Sequence, residues 1–273
     1  MEITFLGTGT SHGVPQIGCR CEVCISKFSK NKRTRSSILI KNNSKSILID
    51  TSTDFRFQVL KYKIERIDAI LYTHFHADHV HGIDDLRRFN EIQGGTLPIY
   101  GSEMTIKQIK IMFPYIFNET IQLGGGKPEL IPYPVEDEFE LFGIRILPIK
   151  ALHGKLEILG YRIDNVAYLT DCSFIPDESM EKLRSLKLLI LGALRYRKHP
   201  THFSLDEACK VIAKLRPQKA FITHIAHDLG HKKVNKELPK NIRLAFDGMK
   251  LEIEHGARGR EKGEIKSPLT PLC

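Results

Sequence analysis

Thr73-His74-Phe75-His76-Ala77-Asp78-His79 is the stretch on which the reading of this chain turns. The apolar run Ile67 to Tyr72 before it has the length and composition of a buried strand. Asp84 to Ile92 after it spaces Leu86, Phe89 and Ile92 as a helix would. The motif therefore sits where a strand ends and a helix begins. In extended backbone, residues two apart point the same way, so His74 and His76 present two imidazoles to one ion, while Asp78 and His79 lie past the bend and can face a second. Donors of this kind suit zinc, with manganese or iron(II) as alternatives. Surface histidines or helix caps could produce the same letters, but the strand-loop-helix context favours chemistry.

Three distant residues extend the pattern. His153 in Ala151-Leu152-His153-Gly154, Asp171 in Leu169-Thr170-Asp171-Cys172 and His224 in Ile222-Thr223-His224-Ile225 each follow an apolar run. Any one alone would be an ordinary strand-end residue. With His-Xaa-His-Xaa-Asp-His after a hydrophobic strand, the chain resembles the metallo-β-lactamase fold hydrolases, whose further ligand positions these three match in order. The resemblance implies that His74, His76 and His153 hold one metal, that Asp78, His79 and His224 hold the other, and that Asp171 bridges them. It also implies a four-layer αβ/βα sandwich, where pattern alone says only mixed α/β.

Cys19-Arg20-Cys21-Glu22-Val23-Cys24 places three thiols within six residues. Neighbours this close do not readily pair as disulfides, and zinc explains them better. A fourth ligand is needed, and His227, three residues after His224, is the best candidate for a closed Cys3His site tying an N-terminal loop to the last ligand-bearing strand. Gly-Thr-Gly-Thr, then Cys-Xaa-Cys-Xaa-Xaa-Cys, the histidine motif and a late His-Xaa-Xaa-His are together similar to the phosphoribosyl cyclic phosphodiesterases of the carbon-phosphorus lyase pathway. In that group the three cysteines and the second histidine bind a structural zinc. The similarity runs from about Glu2 to about Glu252.

Length sets the frame: 273 residues suit one α/β domain, expected over residues 1–254, with 255–273 read as a flexible tail. No apolar run is long enough to cross a bilayer, and the chain opens on a strand pattern without a leader, so the expected location is cytoplasmic. Net charge is +9, and Ser26 to Ile49 holds seven basic residues (Lys27, Lys30, Lys32, Arg33, Arg35, Lys41, Lys45) with no acidic one. Such a run can attract nucleic acid, but slight aromatic interleaving favours a solvated face.

Gly7-Thr8-Gly9-Thr10 lacks the spacing of a nucleotide loop, and its glycines are expected to let backbone pass close to the metal pocket. His12 is either a pocket-wall residue or a solvent-facing one. Ser36 to Ile40 and Ser46 to Asp50 read as a hairpin around Lys41 to Lys45. Asp50 can orient a metal-bound histidine or cap the helix that follows; both readings stand. Phe113 to Asp137, broken by prolines and glycines, suggests a lid or binding wall. Its Phe113, Tyr115 and Phe117 are either core or a stacking platform. Arg87 or Arg88 is a candidate for reaching a phosphate.

Two metals roughly 3.5 to 4 Å apart can deprotonate a bridging water and neutralise phosphoryl charge. The departing oxygen then needs a proton, for which His202 is the candidate general acid, with His199 in reserve and a plain helix-entry role as the alternative. Asp78 additionally orients the water. The expected function is hydrolysis of small or cyclic phosphate diesters, with two active-site metals and one structural zinc. Its alternatives are a ribonuclease acting on nucleic acid, a thioester or lactone hydrolase, and a zinc-stabilised binding protein. A homodimer is what the resemblance suggests.

Overall fold

The apolar runs become strands in a computed structural model that describes residues 1–118 and 126–253. In chain order the first six are β1 (Glu2–Gly7), β2 (Ser37–Asn42), β3 (Lys45–Ile49), β4 (Ala69–Leu71), β5 (Leu97–Gly101) and β6 (Leu130–Pro134). They are followed by β7 (Phe139–Leu141), β8 (Ile144–His153), β9 (Leu156–Ile163), β10 (Val166–Leu169), β11 (Leu188–Gly192), β12 (Lys219–Thr223), β13 (Ile242–Leu244) and β14 (Lys250–Glu252). Among the described residues they form two seven-stranded sheets, ordered β14-β1-β2-β3-β4-β5-β6 and β13-β12-β11-β10-β9-β8-β7.

Burial assigns the layers. Leu188 and Ile190 of β11 point between the sheets, where they join Phe5, Ile38, Tyr161 and Tyr168, while Leu189 and Leu191 point outward against helices. A strand covered on both faces reads as an unbroken apolar run, which is what this segment shows. Leu6, Leu48 and Ile70 form the matching outer core of the first sheet with Phe55, Phe89 and Ile106. Helices therefore cover the outside of two facing sheets, the expected αβ/βα sandwich. Helix Leu205–Leu215 buries Leu205, Ala208, Ile212 and Leu215, as its spacing requires, and begins at a reciprocal Ser204–Glu207 capping box.

Several expectations change on folding. Asp84 to Ile92 is not one helix but a 3₁₀ turn, Ile83–Leu86, running into Arg87–Gln93. The tighter turn shifts the phase by about 20° per residue; Leu86 and Phe89 stay buried and Ile92 is left 55% exposed. The proline-broken segment still yields β6, because it is the sheet edge: Pro132 and Pro134 sit two apart and lose donors on one side only. Phe113, Tyr115 and Phe117 pack against the outer core of the first sheet, and Tyr115 Oη donates to Asp84 at 2.7 Å, so they form no stacking platform.

The basic run does not form one surface. Arg33 is buried, donating to Thr8 Oγ1 and the Ala245 carbonyl, while Arg35 pairs with Asp54 and Lys45 with Asp68. The hairpin is present with its turn tightened to Asn43-Ser44, Asn43 adopting φ 53°. β14 pairs with β1, Glu2 opposite Glu252, so the two ends of the described chain meet. The segment expected as a tail, 255–273, lies outside the described residues. Among the described residues no helix is long and apolar enough to cross a membrane.

Candidate metal centre

β3, β4 and β5 run parallel, as do β10, β11 and β12, so their carboxyl ends open on one edge of the sandwich, the usual place for a site in sheets of this kind. Asp50 follows β3, the histidine motif follows β4, Asp171 follows β10 and His224 follows β12. Asp50, Asp171 and His224 all have left-handed backbone, at φ 63°, 54° and 54°. Non-glycine residues adopt it at a cost of order 1–3 kcal/mol and tend to do so at working sites.

The two sheets contribute opposite walls. His74 Nε2 and His76 Nδ1 lie 3.1 Å apart, and the His153 ring is 5.6 and 5.1 Å from theirs. His79 Nε2 is 3.3 Å from both Asp78 Oδ2 and Asp171 Oδ1, and His224 Nδ1 approaches Asp171 Oδ1 at 2.9 Å. Donor atoms of His74, His76 and His153 form one compact set, those of Asp78, His79, Asp171 and His224 a second. All seven sequence candidates are thus brought together.

Hydrogen bonds show which ring nitrogens are free. Asp50, fully buried, accepts from His79 Nδ1 at 2.8 Å, from Thr73 N at 2.8 Å and from Thr73 Oγ1 at 2.9 Å. With its proton given to Asp50, Thr73 Oγ1 accepts from His74 Nδ1 at 3.0 Å. His153 Nδ1 donates to the Thr201 carbonyl at 2.7 Å. In each of the three histidines Nδ1 is therefore committed and Nε2 is the nitrogen turned inward, as in metal-binding imidazoles. Asp50 is the orienting residue and not a cap; the N-cap of helix Phe55–Tyr62 is Asp54.

The donor set fits cations. Asp78 Oδ2 and His79 Nε2 are buried with no hydrogen-bond partner, and His74 Nε2 and His76 Nδ1 converge to 3.1 Å. Burial pushes His74 and His76 below the ordinary imidazole range, keeping them neutral. Burial opposes charge on Asp171 too, yet His224 and His79 hold it well below the usual carboxylate range. Around His79 the carboxylates of Asp78, Asp171 and Asp50 outweigh burial and raise its basicity. That excess of negative charge is what divalent ions would neutralise.

His202 closes the open side, its ring 4.6 Å from His153 and 5.0 Å from His224 in a stacked arrangement, with Nδ1 3.9 Å from Asp171 Oδ2. Burial and the neighbouring His224 push it down to about 3. His199 stands farther out, 5.1 Å from His202, and Thr201 N donates to its Nδ1. His12 is exposed, and Arg87 and Arg88 pair locally with Asp84 and Glu91. Thr73 and the Thr201 carbonyl were not singled out in the sequence. Thr73 stands directly before the motif, a usable signal; a carbonyl leaves none.

A second cluster lies beside the first. Sγ of Cys19, Cys21 and Cys24 lie 3.1, 3.5 and 3.5 Å from His227 Nδ1. A tetrahedral ion with the usual zinc bond lengths would put sulfur and nitrogen about 3.6 Å apart, so the set fits zinc. Burial raises Cys24 to about 11, whereas backbone N–H groups, Cys24's first, outweigh burial at Cys21 and lower it to about 7. The loop between β1 and these cysteines is bonded to the strand end that carries His224: Ile225 N donates to Thr8 O and Thr10 N to Ile225 O. Gly7 permits that path, since a Cβ there would sit 1.9 Å from the Arg35 carbonyl oxygen.

Comparison with known proteins places this geometry. The sequence model of the Beta-lactamase superfamily domain matches residues 45–225, which include the seven clustered donors and exclude the cysteines. A crystal structure of a diphosphatase from the PhnP family is 45% identical with a TM-score of 0.87, covering 93% of this chain and 98% of that one. An octanoyltransferase of Porphyromonas gingivalis is 37% identical over 257 residues, 93% of this chain and 52% of that protein. A ribonuclease Z of Limosilactobacillus reuteri is 26% identical over 205 residues, 69% of this chain and 55% of that protein. The chain thus spans about half the length of the curated relatives it matches.

Proposed function

We propose, from the premise that this chain belongs to the beta-lactamase superfamily and is a metal-dependent hydrolase of metallo-β-lactamase fold, that it cleaves small or cyclic phosphate diesters. The reading rests on one observation above all: Asp171 shares one donor set with Asp78, His79 and His224 and another with His153 and His202, while His74, His76 and His153 form a third. His74, His76 and His153 would hold one divalent ion, Asp78, His79 and His224 the other, with Asp171 shared; zinc or manganese suits the set, and iron also. When bound, such a pair supplies an activated water nucleophile and charge neutralisation for the phosphoryl oxygens.

The chain's own residues do the rest. Asp50 and Thr73 hold His79 and His74 in the tautomers that face the centre, and the Thr201 carbonyl does so for His153. Asp78 would orient the attacking water. His202, neutral in its buried setting, gains basicity when an anionic phosphoryl group lies beside it, and donates from the ring to the departing oxygen. The Cys19, Cys21, Cys24 and His227 cluster would bind a structural zinc.

Relatives named ribonuclease Z keep nucleic acid as an alternative substrate. The 37% identity to a protein named octanoyltransferase favours testing a second reading, thioester hydrolysis. The experiment is elemental analysis of the purified chain with turnover of bis(4-nitrophenyl) phosphate and of an octanoyl thioester, before and after chelation. Chelator-sensitive diester cleavage with an inert thioester supports the first reading; the reverse pattern replaces it with the second, and inactivity on both defeats the hydrolase assignment.

A further inference from the structure

Two of the donor sets share His153, and one of these two contains His202. The backbone fastens His202 on both sides to the other members of that set. Before it, the Thr201 carbonyl accepts from His153 Nδ1 at 2.7 Å; after it, Phe203 N donates at 2.8 Å to the carbonyl of Cys172, the residue next to Asp171. Gly154 makes room for the first of these contacts: its φ is 65°, and a Cβ there would sit 2.8 Å from Thr201 Cγ2. His202 Nδ1 is thereby held 3.9 Å from Asp171 Oδ2, and its ring 4.6 Å from that of His153. Tetrahedral zinc, at its usual bond lengths, puts nitrogen and oxygen donors about 3.4 Å apart, so closing this set takes His202 inward by about half an ångström.

The set also lies on a path. His199, His202, His153 and His74 form a row, ring to ring at 5.1, 4.6 and 5.6 Å, that starts at a half-exposed imidazole and ends at a fully buried one. We propose that His153, Asp171 and His202 form an alternative seat for a divalent cation, the outer station from which the set of His74, His76 and His153 is loaded. His153 offers only Nε2, because Nδ1 is given to Thr201, so the two seats cannot be filled together. It stays bound while His202 is exchanged for His74 and His76, and His202 is then free to serve as proton donor. The inference rests on the two-ion reading above and adds how one of the ions arrives.

The test mixes the full chain, stripped by chelation, with Co²⁺ alone in a stopped-flow instrument. Uptake at the histidine sets is read from d–d absorption, and cobalt on Cys19, Cys21 and Cys24 is told apart by its sulfur-to-metal charge-transfer band. A ligand lost from the path raises the barrier in both directions, so His202→Ala should slow loading and release by the same factor, about tenfold or more, and leave the dissociation constants within about twofold. Occupancy gives an independent reading: His74→Ala/His76→Ala should still hold a cobalt ion on the outer seat, and adding His202→Ala should remove it. Equal loading rates in wild type and His202→Ala place the entrance beside half-buried His76 and overturn the proposal. Weakened affinity with an unchanged loading rate makes His202 a resident ligand and overturns it too, as does equal occupancy in the double and triple variants. If wild type loads its histidine sets but the rates do not move, this inference alone fails; if it takes up no cobalt there, the two-ion reading fails with it.

Discussion

Asp50→Asn tests the reasoning most directly, because a single buried carboxylate orients histidines of both donor sets. Asp50 Oδ1 accepts from Thr73 N, and Oδ2 accepts from both Thr73 Oγ1 and His79 Nδ1. An asparagine can keep one acceptor. If its oxygen stays on Thr73 N, its NH₂ points at His79 Nδ1, donor against donor. The cheapest repair is to move the imidazole proton to Nε2, the atom that now faces Asp78 and Asp171 without a hydrogen-bond partner. A protonated Nε2 cannot ligate. Loss of such an orienting partner costs about 10- to 100-fold in metal affinity, or about 1.4–2.8 kcal/mol at 1.4 kcal/mol per decade. The cost should fall on the Asp78–His79–His224 set; His74, reached only through Thr73, should lose less. Competition titration with a chelating indicator would resolve the steps, and kcat/KM for bis(4-nitrophenyl) phosphate at limiting metal should fall with the weaker one. Wild-type affinity at every site in the variant would refute the argument.

Other outcomes follow from the same geometry. His202→Ala should slow cleavage of a diester with a poor alkoxide leaving group by about 10²–10⁴-fold while affecting 4-nitrophenoxide release far less; equal losses on both would count against a proton-donating role. Cys24→Ser should lower the metal content by one ion per chain and lower Tm, and, through the Thr8–Ile225 and Thr10–Ile225 bonds, weaken metal binding at His224; unaltered metal content would contradict the Cys3His assignment. At Asp68, burial is outweighed by bonds from Arg66, Ser46 N and Lys45, so its folded pKa is depressed. Its stabilisation is therefore present above the unfolded carboxylate range and lost as pH falls through the folded value. Asp68→Asn should lower Tm at pH 7, by about 1 kcal/mol or less from the ion pairs because Arg66 and Lys45 are half exposed, with the gap from wild type closing below about pH 4; a gap that widens in acid would reverse the assignment.

What short-range geometry dictates was legible in the chain alone. Alternation and apolar runs specified the strands, the 3.6-residue period of Leu205–Leu215 specified its buried face, and the two-residue spacing of His74 and His76 specified that both imidazoles point one way. Cys19, Cys21 and Cys24 were legible for the same reason. The rest was settled by how the strands pack. Asp50 could orient or cap until β3 was laid parallel to β4, which put its carboxylate beneath Thr73 and His79. The Thr201 carbonyl became a partner of His153 across 48 residues, and the basic run from Lys27 to Lys45 dissolved into one buried guanidinium and scattered ion pairs. The physical reason is that a local period is set by backbone geometry. Which strand ends meet, and which side chain finds a partner there, depends on two sheets packing face to face, and no stretch of chain records that alone.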